Sequence, residues 1–488
     1  MKTSFAFALV CWASISFAQT GAKFTLNGTL TDAASGETLI GVTVRSENGI
    51  GTVSNEYGFY SLTLPEGDHT FSFAYIGYVT VARDLTLNQN QKLDIALHDN
   101  STLLGEVEIK AEKRDERVEQ ALMGVEKINM SELKSLPMLL GERDVLKTIQ
   151  LLPGVKSAGE GNAGFYVRGG AADQNLILLD EAPVYNASHL LGFFSTFNAD
   201  AVKDATLYKG SMPPQYGGRI SSVLDIKMND GNNRDFNVSG GVGIISSKLN
   251  VEGPIQKEKS SFLVTGRRTY LDLLLLTSSD SNKNSTVLYF YDFNAKVNYQ
   301  INSRNRLFAS GYFGRDVLKF GSGSFGVDWG NATATLRWNH LFSDRLFSNT
   351  SLIYSNYDNK IAIKFGANDF RISSRIKDYN LKQDFQWFPD SRNTVKYGFQ
   401  IINHTITPSS VDASESSDLV NNNAAQKRYG LESAAFVSHE WQATQYLNII
   451  YGIRVSDFAV LGFERIGHDT CIYRPCGPGK QLPVYPKQ

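Results

Sequence analysis

Residues 144–231 read DVLKTIQLLPGVKSAGEGNAGFYVRGGAADQNLILLDEAPVYNASHLLGFFSTFNADAVKDATLYKGSMPPQYGGRISSVLDIKMNDG. This stretch predicts a small mixed α/β unit. Val145, Leu146, Ile149 and Leu152 fall at helical spacing, and Pro153-Gly154 stops the run. Phe165-Tyr166-Val167 and Leu176-Ile177-Leu178-Leu179 are short apolar strands separated by Gly169-Gly170 and closed by Asp180. Further strands are expected at Val202 to Tyr208 and Ser222 to Ile226. Glycines at 159, 161, 164, 169, 170, 192, 210, 217, 218 and 231 imply tight turns and close backbone approaches. Their entropic cost requires something outside the unit to immobilise it.

Several motifs occur here in fixed order. They are Leu152-Pro153-Gly154-Val155, Val167-Arg168-Gly169-Gly170, Leu178-Leu179-Asp180, Tyr208-Lys209-Gly210 and Tyr216-Gly217-Gly218-Arg219. Together they resemble the plug domain of TonB-dependent outer-membrane receptors; the alternative is a glycine-rich soluble α/β domain. The resemblance implies a plug, placed at 121–232, that closes a membrane barrel. Arg168 and Asp180 then lie beside apolar strands in an enclosed unit, and each is expected to need a partner.

Upstream, residues 1–18 combine Lys2, an apolar run from Phe5 to Ala13 and Ser16-Phe17-Ala18, the pattern of a cleaved secretory signal. Val10 stands before Cys11 where a lipoprotein signal would carry a small residue. Residues 19–98 hold short strands at close spacing, with turns such as Ala34-Ser35-Gly36 and Pro65-Glu66-Gly67, and predict an antiparallel β-sandwich of about seven strands. Gly28-Thr29-Leu30-Thr31-Asp32, Gly41-Val42, Gly58-Phe59-Tyr60 and Tyr75-Ile76-Gly77-Tyr78 resemble the carboxypeptidase-regulatory-like domain. That domain is an accessory sandwich rather than the zinc peptidase; His69 and His98 are isolated, without zinc-ligand spacing.

Residues 99–120 form a linker. Within it Leu104, Gly105, Glu106, Val107, Glu108, Ile109 and Lys110 alternate in character, which suits an extended strand added to another sheet's edge. Just ahead of a plug-like unit this run resembles a TonB box; a plain interdomain strand is the alternative. Glu112 to Gln120 is a charged run, read as a solvated linker or helix face.

From 233 onward the period becomes two. Tyr291, Phe293, Ala295, Val297, Tyr299 and Ile301 alternate with Asp292, Asn294, Lys296, Asn298 and Gln300; Val395 to Ile401 and Tyr379 to Trp387 behave alike. A transmembrane barrel and a soluble sandwich share this period. Spacing favours the barrel, since short polar turns near 256–259, 302–305, 343–344, 389–393 and 443–444 alternate with longer stretches at 277–285, 321–328 and 408–426. About ten strands are expected over 233–461. Plug-holding barrels have about 22 strands, so the chain is expected to be the N-terminal part of a longer receptor with an incomplete barrel. Residues 462–488 lose the alternation and hold Cys471 and Cys476, either as an external loop with a local disulfide or as a damaged end.

The 488 residues carry a net charge of −1, so no field favours nucleic acid. Three cysteines exclude a disulfide scaffold, and beyond the signal no apolar run reaches the roughly 18 residues of a membrane helix. The 29 Phe and 22 Tyr remain compatible with a membrane barrel facing lipid. Seven scattered histidines and the absence of Gly-x-Ser-x-Gly, His-Glu-x-x-His and P-loop patterns argue against an enzyme, and no metal or cofactor is called for. The resemblance implies a receptor in the Gram-negative outer membrane, with its N-terminal domain and TonB box in the periplasm. TonB and its inner-membrane motor would drive import of a ligand that the sequence does not identify: siderophore, cobalamin, glycan or peptide. Two alternatives are a signal-transducing receptor and a non-transporting surface adhesin.

Overall fold

The computed structural model of the chain describes residues 22–100, 124–128, 143–159, 164–275, 286–320, 324–365, 368–413, 426–444, 447–466 and 470–475. The signal segment, the Leu104–Lys110 run, the charged stretch to Gln120 and Cys476 lie outside them.

The first domain is a sandwich of two four-stranded sheets. One contains β1 (Lys23–Asp32), β4 (Phe59–Pro65), β7 (Gln91–Lys92) and β8 (Ile95–Leu97). The other contains β2 (Thr43–Ser46), β3 (Gly51–Val53), β5 (Gly67–Ala74) and β6 (Val81–Leu87). Leu26, Leu30, Val44, Leu62, Phe71 and Phe73 fill the space between them. The sheets are not wholly antiparallel. β1 pairs antiparallel with β4 on one side and parallel with β7 and β8 on the other. After β6 the chain crosses back from the second sheet, so it reaches the free edge of β1 running in the same direction. A side chain at 28 would obstruct that approach, because a Cβ there would lie 1.9 Å from the Leu93 carbonyl oxygen.

The second unit is built on a five-stranded mixed sheet. Its strands are β9 (Val125–Ile128), β12 (Asn175–Leu179), β13 (Ala182–Pro183), β16 (Val202–Lys209) and β17 (Ser222–Met228), in the order β13-β12-β17-β16-β9. β10 (Val155–Ser157) and β11 (Phe165–Val167) make one small hairpin, and β14 (Ser188–His189) and β15 (Phe194–Ser195) another. Helix α1 (Val145–Ile149) covers the sheet through Val145, Leu146 and Ile149, which pack with Leu207, Leu224 and Ile226. Asp144 caps the helix by accepting from the Lys147 N–H at 3.0 Å, and its other oxygen accepts from the Ser195 N–H at 2.7 Å.

The third unit is one antiparallel sheet of twelve strands in sequential order. They are β18 (Asn237–Val242), β19 (Ser246–Gln256), β20 (Ser260–Thr269), β21 (Val287–Asn302), β22 (Asn305–Phe320) and β23 (Phe325–Ser343), followed by β24 (Leu346–Phe365), β25 (Asn368–Asp390), β26 (Asn393–Ala413), β27 (Arg428–Thr444), β28 (Leu447–Ile466) and β29 (Thr470–Pro475). A short helix α2 (Leu271–Leu275) follows β20. Each strand pairs with the next, and β18 and β29 are the open edges among the described residues. Alternation suggested about ten strands. The two it does not reveal are β18, whose Gly240 and Gly241 break the pattern, and β29, which pairs with Leu461–Ile466 through main-chain groups that need no side-chain period.

Burial in this sheet is inverted relative to a soluble sandwich. Asp292, Asn294, Lys296, Asn298, Thr335, Arg337, Ser351 and Asn380 are buried, whereas Leu336, Trp338, Leu352, Tyr379, Phe399, Val437 and Ile453 are exposed. The polar face lies against the second unit, and the outer face presents a belt of large apolar side chains. A soluble protein would bury that belt; lipid is the solvent in which it costs nothing. The alternation left barrel and sandwich undecided, and the inversion decides for the barrel.

The close approach at β1 gives a testable expectation. Gly28→Ala should prise β7 and β8 from β1 and destabilise the first domain by about 1–3 kcal/mol, read as faster hydrogen exchange over 91–97 with the plug sheet unchanged. Unchanged exchange there would mean that Gly28 does not set this joint.

Candidate functional site

The plug is held in the lumen by buried ion pairs, three of them at the turn after β12. Leu179 pairs with Ala182, so Asp180-Glu181 is a two-residue hairpin turn, and both residues have positive φ, 46° and 73°. Such turns usually take Asn-Gly. Here two carboxylate residues hold a strained backbone that the surrounding wall fixes in place.

Asp180, 1% exposed, accepts from the Met228 N–H at 3.0 Å and lies 3.1 Å from Lys296 Nζ on β21. Its carbonyl accepts from the Thr335 hydroxyl at 2.9 Å. Lys296 Nζ also lies 2.9 Å from Asp230 and donates to the Met228 carbonyl at 2.7 Å. One barrel lysine therefore ties both the hairpin turn and the segment that leads into the barrel. Glu181 accepts from Asn349 Nδ2 at 3.0 Å and lies 3.7 Å from both Arg337 and Lys382. Burial alone would raise the pKa values of these carboxyls, but the cations override it. Lys296 and then Arg337 hold Asp180 below the usual carboxylate range, and Lys382 and then Arg337 do the same for Glu181.

A second anchor is His189. Its ring stacks on Phe290, with centroids 4.2 Å apart and planes 5° apart. Nδ1 donates to Asp316 at 2.6 Å, and Nε2 lies 3.4 Å from Asp292, which Arg267 also binds. Burial pulls the imidazole's pKa down, yet the charge of Asp316 and hydrogen bonds to Asp292 and Asp316 leave it raised above 6.5.

The plug motifs fall into three groups. Lys209 is buried and joins two of them, since its Nζ lies 3.0 Å from Glu126 and donates to the Pro153 carbonyl at 2.9 Å. Val155 pairs with Val167 beside the Gly154 turn. Gly210, at φ 97°, leaves room for Arg168, whose guanidinium nitrogen would sit 2.9 Å from a Cβ there; Gly170 likewise admits Ser221. Elsewhere Tyr216 donates to Asp225 at 2.9 Å, Gly217 lets Arg454 of β28 approach, and Arg219 donates to the Gly218 carbonyl. Asp180 stands apart from both groups, at the wall. Two expectations fare differently. Asp180 is enclosed and paired, whereas Arg168 is exposed, because it occupies the turn after β11 and extends across Gly124 and Gly210 instead of pointing into the core.

The sequence reading did not single out Glu181, Asp230, His189, Arg337 or Lys382. The available signal was on the barrel strands, where Asp292 and Lys296 stand among the polar members of an alternating run, charged where a neutral residue would suffice. A cavity of about 90 Å³ adjoins the turn, lined by Glu181, Tyr185, Tyr216, Asp378, His404 and Glu432. A cleft of about 340 Å³ separates the first domain from the short-turn end of the barrel, where Arg234, Arg304 and Phe347 line it. Among the described residues no three His, Cys, Asp or Glu side chains group to hold a metal ion.

The His189 anchor sets a pH dependence. With its pKa raised on folding, its contribution to plug seating is complete below the unfolded value and is lost as pH rises through the folded one. Plug protection from protease should thus weaken on going from about pH 6 to 9. His189→Gln should flatten that profile and cost about 3–5 kcal/mol by leaving buried aspartates short of a partner. A pH profile unchanged by the substitution would assign the dependence to another group.

Comparison with known proteins agrees with this architecture. The CarboxypepD_reg-like domain family matches residues 26–109, and the TonB-dependent Receptor Plug Domain family matches residues 117–223. The first match takes in most of Leu104–Lys110. No curated protein sequence matches the chain. Among solved structures, a ferric enterobactin receptor from Pseudomonas aeruginosa aligns with a TM-score of 0.53 at 15% identity, covering 71% of this chain and 60% of its own. The copper transporter OprC aligns at 0.53 and 13%, covering 74% and 58%. The siderophore receptor PirA from Acinetobacter baumannii gives 0.52 and 16%, covering 74% and 59%. At these identities the likeness is one of fold, and the chain spans about 60% of the length of the structures it matches. The chain thus carries a CarboxypepD_reg-like domain followed by a TonB-dependent receptor plug domain, in a fold similar to that of plug-bearing TonB-dependent receptors.

Proposed function

We propose that the chain serves as an outer-membrane receptor that imports a small ligand, with the plug gating the lumen and TonB supplying the work from the inner membrane. The observation that carries this reading is the inverted barrel sheet, apolar outside and charged inside, with the plug's Asp180 and Asp230 ion-paired to Lys296 of its inner face. A gate held by ion pairs rather than by an apolar core can be unseated without exposing a large apolar surface, which suits a part that must move. The short-turn end of the barrel faces the first domain, and we read that end, with the domain and the linker, as periplasmic. Siderophore, cobalamin, glycan and peptide remain the ligand classes, and the named neighbours are receptors for ferric enterobactin and siderophore and a copper transporter.

Coupling is assigned to Leu104–Lys110, which would pair with TonB by strand addition. Val107→Pro removes a backbone donor and fixes φ. At equal expression it should abolish energised uptake while leaving ligand binding at the cell surface unchanged. Growth of a deletion strain on candidate nutrients identifies the ligand for that assay, and full uptake by the Val107→Pro variant would place the box elsewhere in the chain.

A further inference from the structure

The first domain does more than stand beside the barrel: one of its turns reaches the plug's main ion-pair cluster. Asn55 shapes this turn, accepting from the Tyr57 N–H at 2.9 Å and the Phe59 N–H at 3.0 Å. Gly58, at φ 75°, lets it pack against the Leu30 carbonyl. The turn thereby presents Glu56 and Tyr57 outward. The Tyr57 hydroxyl donates to Glu181 Oε1 at 3.1 Å, and Glu56 pairs with Lys227 of β17 at 3.0 Å. The same tyrosine ring stacks on Phe347 of the barrel wall at 5.3 Å and lies under the Arg337 guanidinium at 5.4 Å. Asn55 Nδ2 donates to Gln386 of the wall at 3.1 Å. Phe59, Phe347 and Phe388 form a buried aromatic cluster behind it.

Around this tip run supporting contacts to both partners. Arg345 donates to the Thr25 hydroxyl at 2.7 Å and Ser61 to the Asp344 carbonyl at 2.8 Å, both at a barrel turn. Lys203 of the plug lies 3.8 Å from Glu37 and 2.8 Å from Asp230. The sandwich therefore touches the plug at β16, at β17 and at the strained hairpin turn, and the wall at β24 and β25.

We propose that the first domain is an internal lock on the plug, with Glu56 and Tyr57 as the bolt. Glu181, in the turn after β12, and Lys227, on the neighbouring strand β17, belong to one sheet, so moving that sheet relative to the first domain breaks the Tyr57 and Glu56 contacts together. The bolt also contacts the wall through Phe347 and Arg337, so it adds a second tie between two bodies that already meet through their own ion pairs, hydrogen bonds and the His189–Phe290 stack. Opening thus requires the domain to withdraw. As a gating device this rests on the receptor reading; as a structural clamp it does not.

The test uses the full chain in isolated membranes and reads hydrogen exchange across residues 176–184 and 222–228. Tyr57→Phe keeps the ring and removes one hydrogen bond to a carboxylate, and should raise exchange there by about tenfold. Glu56→Lys, which sets a second cation against Lys227, should do the same, and Glu56→Gln should raise exchange by less. Lys227 itself is kept, because it also lies 3.2 Å from Asp225. Exchange over 59–74, in the sandwich core, should stay unchanged in all three variants. Unaltered plug exchange in Tyr57→Phe and Glu56→Lys, or an effect of Glu56→Gln as large as that of Glu56→Lys, overturns the lock. Uptake measured on the same variants separates the two claims. Faster exchange together with faster TonB-dependent uptake supports a gate lock; faster exchange with no TonB-dependent uptake in any variant, wild type included, leaves the clamp standing and removes the receptor reading.

Discussion

Filling the lumen with a folded domain forces charges out of water. The barrel's inner face must be polar, because its outer face is apolar and the strands alternate. A plug seated against that face therefore buries Lys296, Arg337, Asp292 and Asn298, and a buried charge without a partner costs several kcal/mol. The remaining architecture answers this constraint. Asp180 and Asp230 converge on Lys296, Glu181 on Arg337 and Lys382, and His189 on Asp316 and Asp292.

Those partnerships explain otherwise unfavourable local choices. A two-residue turn made of Asp and Glu at positive φ is strained in isolation, and Gly would relieve it. Gly has no carboxylate, and at this position both carboxylates are needed to neutralise the wall. Strain in the plug backbone is thus exchanged for charge compensation across the seam. The glycines at 210 and 217 work in the opposite sense, clearing space through which Arg168 and Arg454 pass. Charged groups and glycines together make a plug that adheres to its barrel through many polar contacts and few apolar ones.

The first domain extends the same seam with different chemistry. Its own stability comes from an apolar core between two sheets, so it holds together without the barrel. Its contact with plug and barrel centres on a polar and aromatic tip that meets the plug's carboxylate turn and the wall's Phe347 together, with polar contacts at Thr25, Ser61 and Glu37 around it. A domain with its own core that is attached mainly through polar contacts can detach as a unit.

Much of this molecule is legible in its residues. The plug motifs, the helix stopped by Pro153-Gly154 and the strands at 165–167 and 176–179 are local features, set by turn chemistry and apolar spacing that need no distant partner. The same holds for the alternation from Tyr291 to Ile301 and for the short turns between barrel strands. What required the tertiary structure was the direction of each face and the pairing of distant charges. Period two does not say which side meets lipid; only packing against the plug buried Lys296 and left Trp338 exposed. Arg168 and Asp180 look alike in sequence, each a charge at the end of an apolar strand. One points across two glycines into solvent while the other reaches a lysine 116 residues away. Parallel pairing of β1 with β8 and the reach of Tyr57 to Glu181 were hidden for the same reason, because contacts between residues far apart in sequence leave no periodic trace in either segment.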